Sequence, residues 1–267
     1  MVATASPRPR MFVSKDLDHK WIGNYLKKKH LALSHLIGKQ ETTSLYFSLT
    51  DFSEVIDRLS AVNGASGVRI YFATYCSTGN PDVDAIVRSG WMDQLTLFFA
   101  ATDNQQNDLG HYFLIKPTGG VLPLSLTTAT ILAVCYQAKK IPFLTTIIKD
   151  AGLPGFKESR SLWYPLANFN GPNDIVKEMR LHGAAGITAF IGSYGEKETT
   201  RTGLDISWQL NIIFELVRTV THDGSTYYYH FDLENTEGWE ARPDPFIPEG
   251  ADTGNPCPPA TCGSGLG

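Results

Sequence analysis

The chain has 267 residues, 42% of them hydrophobic and 19% charged, which is enough apolar material for one large core or two small ones and excludes global disorder. A formal net charge of −4 with a pI near 6.0 excludes the basic balance of a dedicated nucleic-acid binder.

Taken from the start, residues 1–15 read as a flexible N-terminus. "MVATASPRPRMFVSK" has Pro and Arg where a secretory signal would carry an apolar run. A helix is predicted next, with Trp21, Tyr25, Leu33 and Ile37 as its apolar positions, followed by a short strand at "TSLYFS". The stretch from Leu49 to Gly64 reads as a second helix, with Thr50 as candidate N-cap, Phe52, Val55, Ile56, Leu59 and Val62 at helical spacing, and Gly64 as its stop. "GVRIYFATY" is apolar on both faces and so predicts a central strand. A polar loop over 76–91 leads to a strand at "MDQLTLFFAATD", and "KPTGGVLP" (116–123) reads as a linker.

The pattern then recurs. A helix with Ile131, Val134, Ala138, Leu144 and Ile148 precedes "SLWYPLANF" (161–169), and "YQAKK" (136–140) echoes "YLKKK" (25–29). Ser44, Leu45, Leu49 and Phe52 recur as Ser161, Leu162, Leu166 and Phe169 at an offset of 117. "GASGVRIYFATY" (64–75) meets "GAAGITAFIGSY" (183–194) at an offset of 119, and His111 falls on His230 at the same offset. "RSG" (88–90) answers "RTG" (201–203), and "QLTLFF" (94–99) answers "QLNIIF" (209–214). Collinear matches of this kind predict a tandem duplication. Leu210, Ile212, Phe214 and Leu216 alternate as on a half-buried antiparallel strand, Asp223-Gly224 supplies a hairpin turn, and "YYYHFDL" returns as the closing strand. Each unit reads as a helix followed by β-α-β-β-β, an α+β arrangement of a mainly antiparallel sheet with helices on one face. The expected organisation is repeat 1 over 16–118, repeat 2 over 119–239, and a tail over 240–267 with 6 Pro and 5 Gly in 28 positions. The uncharged stretch 119–138 reaches the length of a membrane span, but Pro123, Ser125, its threonines and Gln137 favour a buried helix.

No strong catalytic, metal or nucleotide signature is present. Arg88 and Arg201, each before a Ser/Thr-Gly turn, offer forks for a carboxylate or phosphate, and His111 and His230 offer a paired titratable site; surface turns and half-exposed strand positions compete with both readings. Tyr228 on the closing strand is a candidate partner contact. Tyr75 and Tyr194 close the central strands and read as packing residues. Cys76 follows a central strand, where a nucleophile could stand, yet nothing in the sequence fixes a base beside it. Asp82 and Asp84 read as solvated loop acids, because the Gly and closing Glu of a calcium loop are missing. "CPPATC" (257–262) supplies half of a zinc site, which Cys76 and Cys135 would have to complete; the four scattered cysteines otherwise indicate a reducing compartment, hence the cytoplasm, with no disulfide framework. "KKKH" (27–30) reads as a solvated helix face. "GASG" and "GAAG" precede strands, so neither is a phosphate-binding turn.

The "GVRIYFATY" strand, the helix before it and the closing "CPP" tail resemble a group of uncharacterised bacterial proteins that carry a G-x-R-I-Y strand and a Pro/Cys-rich C-terminal tail. The second unit departs from that pattern, with Thr188 in place of Arg69 and Ala189 in place of Ile70. The group implies domain limits and no activity.

The absence of convergent titratable groups favours a non-enzymatic binding or self-assembly protein, without cofactor or metal, acting on a protein partner or on itself. The alternative is a small-molecule sensor or an enzyme with its site in the cleft between the repeats.

Overall fold

Local capping decides where the elements begin. The computed structural model describes residues 15–150, 152, 158–171, 175–198, 206–222, 225–231 and 239–240. Helix α1 (Lys15–Tyr25) passes through a π-helical turn at Leu26–His30 into α2 (Leu31–Ile37), which stops at Gly38 in the left-handed region (φ 69°). Strand β1 (Ser44–Ser48) feeds α3 (Leu49–Ser60), and the N-cap is Ser48 rather than Thr50. Ser48 Oγ accepts from the Asp51 amide at 3.0 Å and donates to the Asp51 carboxylate at 2.8 Å, a reciprocal cap that Thr50 has no partner to make. Strand β2 spans Gly67–Thr74. The segment expected as a polar loop contains α4 (Pro81–Ile86) and a π-helical turn at Val87–Trp91. Asn80 Oδ1 accepts from the Asp82 and Val83 amides, and Pro81 occupies the first helical turn, where its missing N–H costs nothing.

Strands β3 (Leu95–Thr102), β4 (Asp108–Ile115) and β5 (Val121–Leu124) follow, the last overlapping the end of the stretch expected to be a linker. Next come α5 (Leu126–Lys139), α6 (Ile141–Asp150), β6 (Ser161–Pro165), α7 (Ala167–Asn170), α8 (Ile175–Leu181), β7 (Gly186–Ser193), β8 (Leu210–His222), β9 (Ser225–Phe231) and β10 (Trp239–Glu240). The α+β class expected from the sequence is therefore present, with every described strand pairing antiparallel.

The strand order departs from the expected one. The described strands form two five-stranded sheets, β1-β7-β8-β9-β10 and β5-β4-β3-β2-β6. Strand β1 leaves the β2–β5 strands that follow it and pairs with β7, while β6 crosses to pair with β2. Both crossings share one register: Ser48 lies opposite Gly186, and Pro165, which is 117 residues after Ser48, lies opposite Gly67, which is 119 residues before Gly186. The glycines are there for room. A Cβ on Gly67 would stand 2.3 Å from Trp163 Nε1, and one on Gly186 would stand 2.4 Å from the Phe47 carbonyl and 2.6 Å from the Tyr46 ring. The strand-opening glycines of "GASG" and "GAAG" thus admit the aromatic ring of a crossing strand.

One apolar cluster joins the inner faces of both sheets. It takes Val68, Ile70 and Phe72 from β2, Ile187, Ala189 and Ile191 from β7, and the apolar face of α3. Phe52 of α3 lies 6.2 Å from Phe99 of one sheet and from Phe214 of the other. Helices also stand on the outer faces, α5 against β2 and α1 against β7, so the expectation of helices on one face only does not hold. Residues Leu126–Asp150 are long and apolar enough to cross a membrane by length and composition. Strand β9 pairs with β8 on one side and with β10 on the other, which places Trp239 opposite Phe231 and Glu240 opposite His230.

Two buried ion pairs tie the crossings down. Lys29 and Lys140, the last residues of "YLKKK" and "YQAKK", are 0% exposed. Lys140 pairs with Glu41, and Lys29 with Glu158 at 2.5 Å. Glu41 Oε1 accepts from the Thr42 amide at 2.9 Å and the Leu95 amide at 2.7 Å; Glu158 Oε1 accepts from the Ser159 amide at 3.0 Å and the Leu210 amide at 2.5 Å. Tyr25 donates to the Thr42 carbonyl at 2.8 Å and Tyr136 to the Ser159 carbonyl at 2.9 Å, and burial pushes both phenols well above their ordinary pKa. Each carboxylate thus fastens the start of a crossing strand to the first residue of β3 or β8 in the opposite sheet. The reading of "KKKH" as a solvated face fails at Lys29: the π-helical turn carries it inward while Lys27 and Lys28 remain exposed. Burial pulls the Lys29 ammonium pKa down, and Glu158 opposes that shift.

Removing one partner leaves a buried charge alone, so Lys140→Met is expected to cost about 3–5 kcal/mol in chemical denaturation, and Lys140→Met with Glu41→Leu to recover much of it. Equal losses for the single and double variants would show that the pair does not act as a unit. Gly186→Ala is expected to destabilise by about 1–3 kcal/mol through overpacking against Tyr46, which thermal melts can read against the open site Gly23→Ala as control.

Candidate ligand-binding site

Period-2 alternation on β2 sends Val68, Ile70 and Phe72 into the shared core and leaves Arg69, Tyr71 and Ala73 on the opposite face. On β3, Phe98 lies on that outer face directly opposite Tyr71, and the two rings stack with centroids 4.8 Å apart. Tyr112 of β4 meets Phe98 edge-on at 6.1 Å. Helix α5 lies over this aromatic floor and turns Leu126, Ala129, Thr130, Ala133, Val134 and Gln137 toward it at helical spacing. Between floor and helix is a cavity of about 170 Å3, with Asp108 at its polar end. Leu126 and Val134 stand at its rim, 63% and 50% exposed.

Asp108 organises the polar end. Tyr71 donates its hydroxyl to Asp108 Oδ2 at 2.5 Å. Burial, then the hydrogen bond to Asp108, pushes the Tyr71 phenol pKa up, so it stays protonated and remains a donor; burial and Asp108 also raise that of Tyr112. Arg69 Nε lies 3.3 Å from Asp108 Oδ1 as an ion pair without hydrogen-bond alignment, so the buried Oδ1 makes no hydrogen bond. The Arg69 guanidinium also stands 5.8 Å from the Tyr71 ring centroid and donates to the Gln106 carbonyl. The polar groups of the lining are Asp108, the hydroxyls of Tyr71, Tyr112 and Thr130, and the Gln137 amide.

The residues singled out from sequence lie elsewhere. Arg88 is exposed on the π-helical turn after α4, and His111 is exposed on β4. Arg201 is outside the described residues. His230 and Tyr228 occupy β9 opposite Val217 and Thr219. Tyr75 is buried, accepts from Thr96 at 3.1 Å and packs on Trp91; Tyr194 packs edge-on against Trp21. Asp84, expected to be solvated, accepts from the Thr78 amide at 2.7 Å and the Gly79 amide at 3.1 Å and so braces its own loop. Among the described residues no group of three or more His, Cys, Asp or Glu could hold a metal.

Cys76 and Cys135 are joined to each other in a disulfide. That corrects the expectation that the cysteines form none, and it removes both the nucleophile reading of Cys76 and the two extra thiols of the zinc reading; Cys257 and Cys262 are outside the described residues. Sequence reasoning missed the bond because its partners are 59 residues apart, on the β2 terminus and on α5, which only the packing of α5 across β2 brings together. Asp108, Tyr71 and Tyr112 were missed because each is an unremarkable strand residue alone; the Arg69-to-Thr188 difference was the available signal.

No family model, curated protein or solved structure matches the chain.

The bond pins the helix that roofs the cavity. Cys135→Ala is expected to lower stability by about 2–4 kcal/mol, and reductant should cost the parent chain a similar amount while leaving the variant unchanged. A parent chain indifferent to reductant would refute the crosslink.

Proposed function

We propose that this is a non-enzymatic binding protein, built from two related α+β units, which holds a small molecule between the outer face of β2–β4 and α5. The observation that carries the reading is the cavity walled by Tyr71, Phe98 and Tyr112, with Asp108 in its lining. The wall residues come from both sides of the 116–123 segment, so the site falls at the junction of the two expected repeats, as the small-molecule alternative requires.

Descent of the units from one duplicated ancestor is supported by the offset matches, the common register of the crossings and the twin ion pairs. Under that reading the two halves differ where the cavity lies. Tyr71 corresponds to Phe190, Phe98 to Ile213 and, through the "YLKKK"/"YQAKK" echo, Ala133 to Ile22. On the outer face of the sheet that holds β7 and β8, Ile22, Phe190 and Ile213 pack together, whereas on the sheet that holds β2–β4 Ala133 leaves space. Burial of Lys140 against Glu41 supports a core role for the Leu126–Asp150 helices rather than a membrane span. The disulfide favours an oxidising compartment over the cytoplasm expected from the cysteine placement.

Ligand-observed NMR with a chemically diverse fragment set is expected to find binders that Ala133→Ile, which restores the bulk of Ile22, abolishes without lowering the melting temperature. Fragment binding unaffected by Ala133→Ile would place the site elsewhere.

A further inference from the structure

The other sheet shows what fills the corresponding space, and this inference rests on the binding reading above. On the outer face of β7 and β8, Ile22 packs against Phe190 and Ile213, and Leu26 leans on the same cluster. In the "YLKKK"/"YQAKK" alignment Ile22 corresponds to Ala133 and Leu26 to Gln137, and both of the latter line the cavity. One exchange removes an aliphatic side chain, and the other puts an amide in place of a second. The room opened is therefore room that hydrocarbon fills on the other sheet, and it has at its edge a group that both donates and accepts hydrogen bonds.

Volume and charge bound the occupant. At about 170 Å3 the cavity is close to the ~150 Å3 apolar cavity that takes benzene, which sets the size at about six carbon atoms. Leu126, Ala129, Ala133 and Val134 give it an aliphatic wall along α5. The carboxylate at the polar end has its partners within the protein: Tyr71 donates to Asp108 Oδ2, and Arg69 pairs with Oδ1. It repels an anion, and Arg69 beside it cancels its pull on a cation. We infer that the site takes a short uncharged aliphatic molecule of about six carbons, whose chain occupies the space left by Ala133 and whose hydroxyl or carbonyl bonds the Gln137 amide.

The test titrates the full chain, disulfide intact, with the primary alkanols from butanol to octanol, and with hexanoate, hexylammonium and benzyl alcohol, by ligand-observed NMR. Affinity is expected to rise about fourfold per methylene as far as hexanol and then to level off, because further methylenes stay in water. Hexanol should bind more tightly than hexanoate, hexylammonium or benzyl alcohol. Ala133→Ile should abolish binding of the whole series. Gln137→Leu, which matches Leu26, should weaken every alkanol about fivefold and leave the slope per methylene unchanged. If Ala133→Ile does not fold, the slope and plateau in the parent chain decide alone, and a rise that continues undiminished to octanol overturns the proposal as non-specific association. Alkanol affinity unchanged in Gln137→Leu overturns the head-group contact. Ala133-sensitive binding that is flat with chain length, or tightest for hexanoate, hexylammonium or benzyl alcohol, overturns the ligand class and leaves the binding site standing. No Ala133-sensitive binding of any alkanol overturns the class; no such binding across the diverse fragment set removes the site with it.

Discussion

A buried carboxylate that accepts two backbone amides is the constraint from which the rest of the structure follows. Glu41 and Glu158 stand immediately before the crossing strands β1 and β6, and each reaches the opening amide of β3 or β8 in the sheet that its own strand does not join. Such a carboxylate is tolerable only with a cation beside it, which fixes Lys140 and Lys29, and these in turn fix the ends of the helices that carry them. The positions of α5 and of the turn after α1 are therefore set by the same two charges that hold the crossings. Because α5 is placed in this way, it spans the outer face of β2 and roofs the cavity.

The elements whose own residues determine them were legible from sequence, and those determined by distant partners were not. The alternation of β8 and the helical face of α3 identified both elements, since each is a periodic pattern facing one core. The exchange of β1 and β6 was invisible, because a strand of five residues pairs equally well by pattern with either sheet; only the glycines that make room for the Tyr46 and Trp163 rings select the partner. Lys29 read as solvent-facing with the rest of its basic run, and the π-helical turn that carries it inward leaves no mark in that run. The disulfide and the cavity both depend on α5 lying over β2, a contact for which no local residue pattern exists.

Under the proposed duplication, comparison of the two halves separates the features that hold the fold from those that line the proposed site. Features found in both, the ion pairs, the buried tyrosines Tyr25 and Tyr136 and the strand-opening glycines Gly67 and Gly186, are accounted for by packing and hydrogen bonding alone. Features found in one, Arg69, Tyr71, Asp108 and the small residues of α5, gather around one cavity and have no role in holding the sheets together. Residues retained in both halves are thus poor guides to a site here, and the differences are better ones.

The claim that the site lies where the halves differ can be read directly from methyl-labelled protein. With a fragment that binds in the Ala133→Ile-sensitive manner, intermolecular nuclear Overhauser effects are expected from its protons to the Ala129 and Ala133 methyls and not to the Ile22 δ-methyl at the corresponding place on the other sheet. Contacts to Ile22, or to neither alanine, would contradict the account.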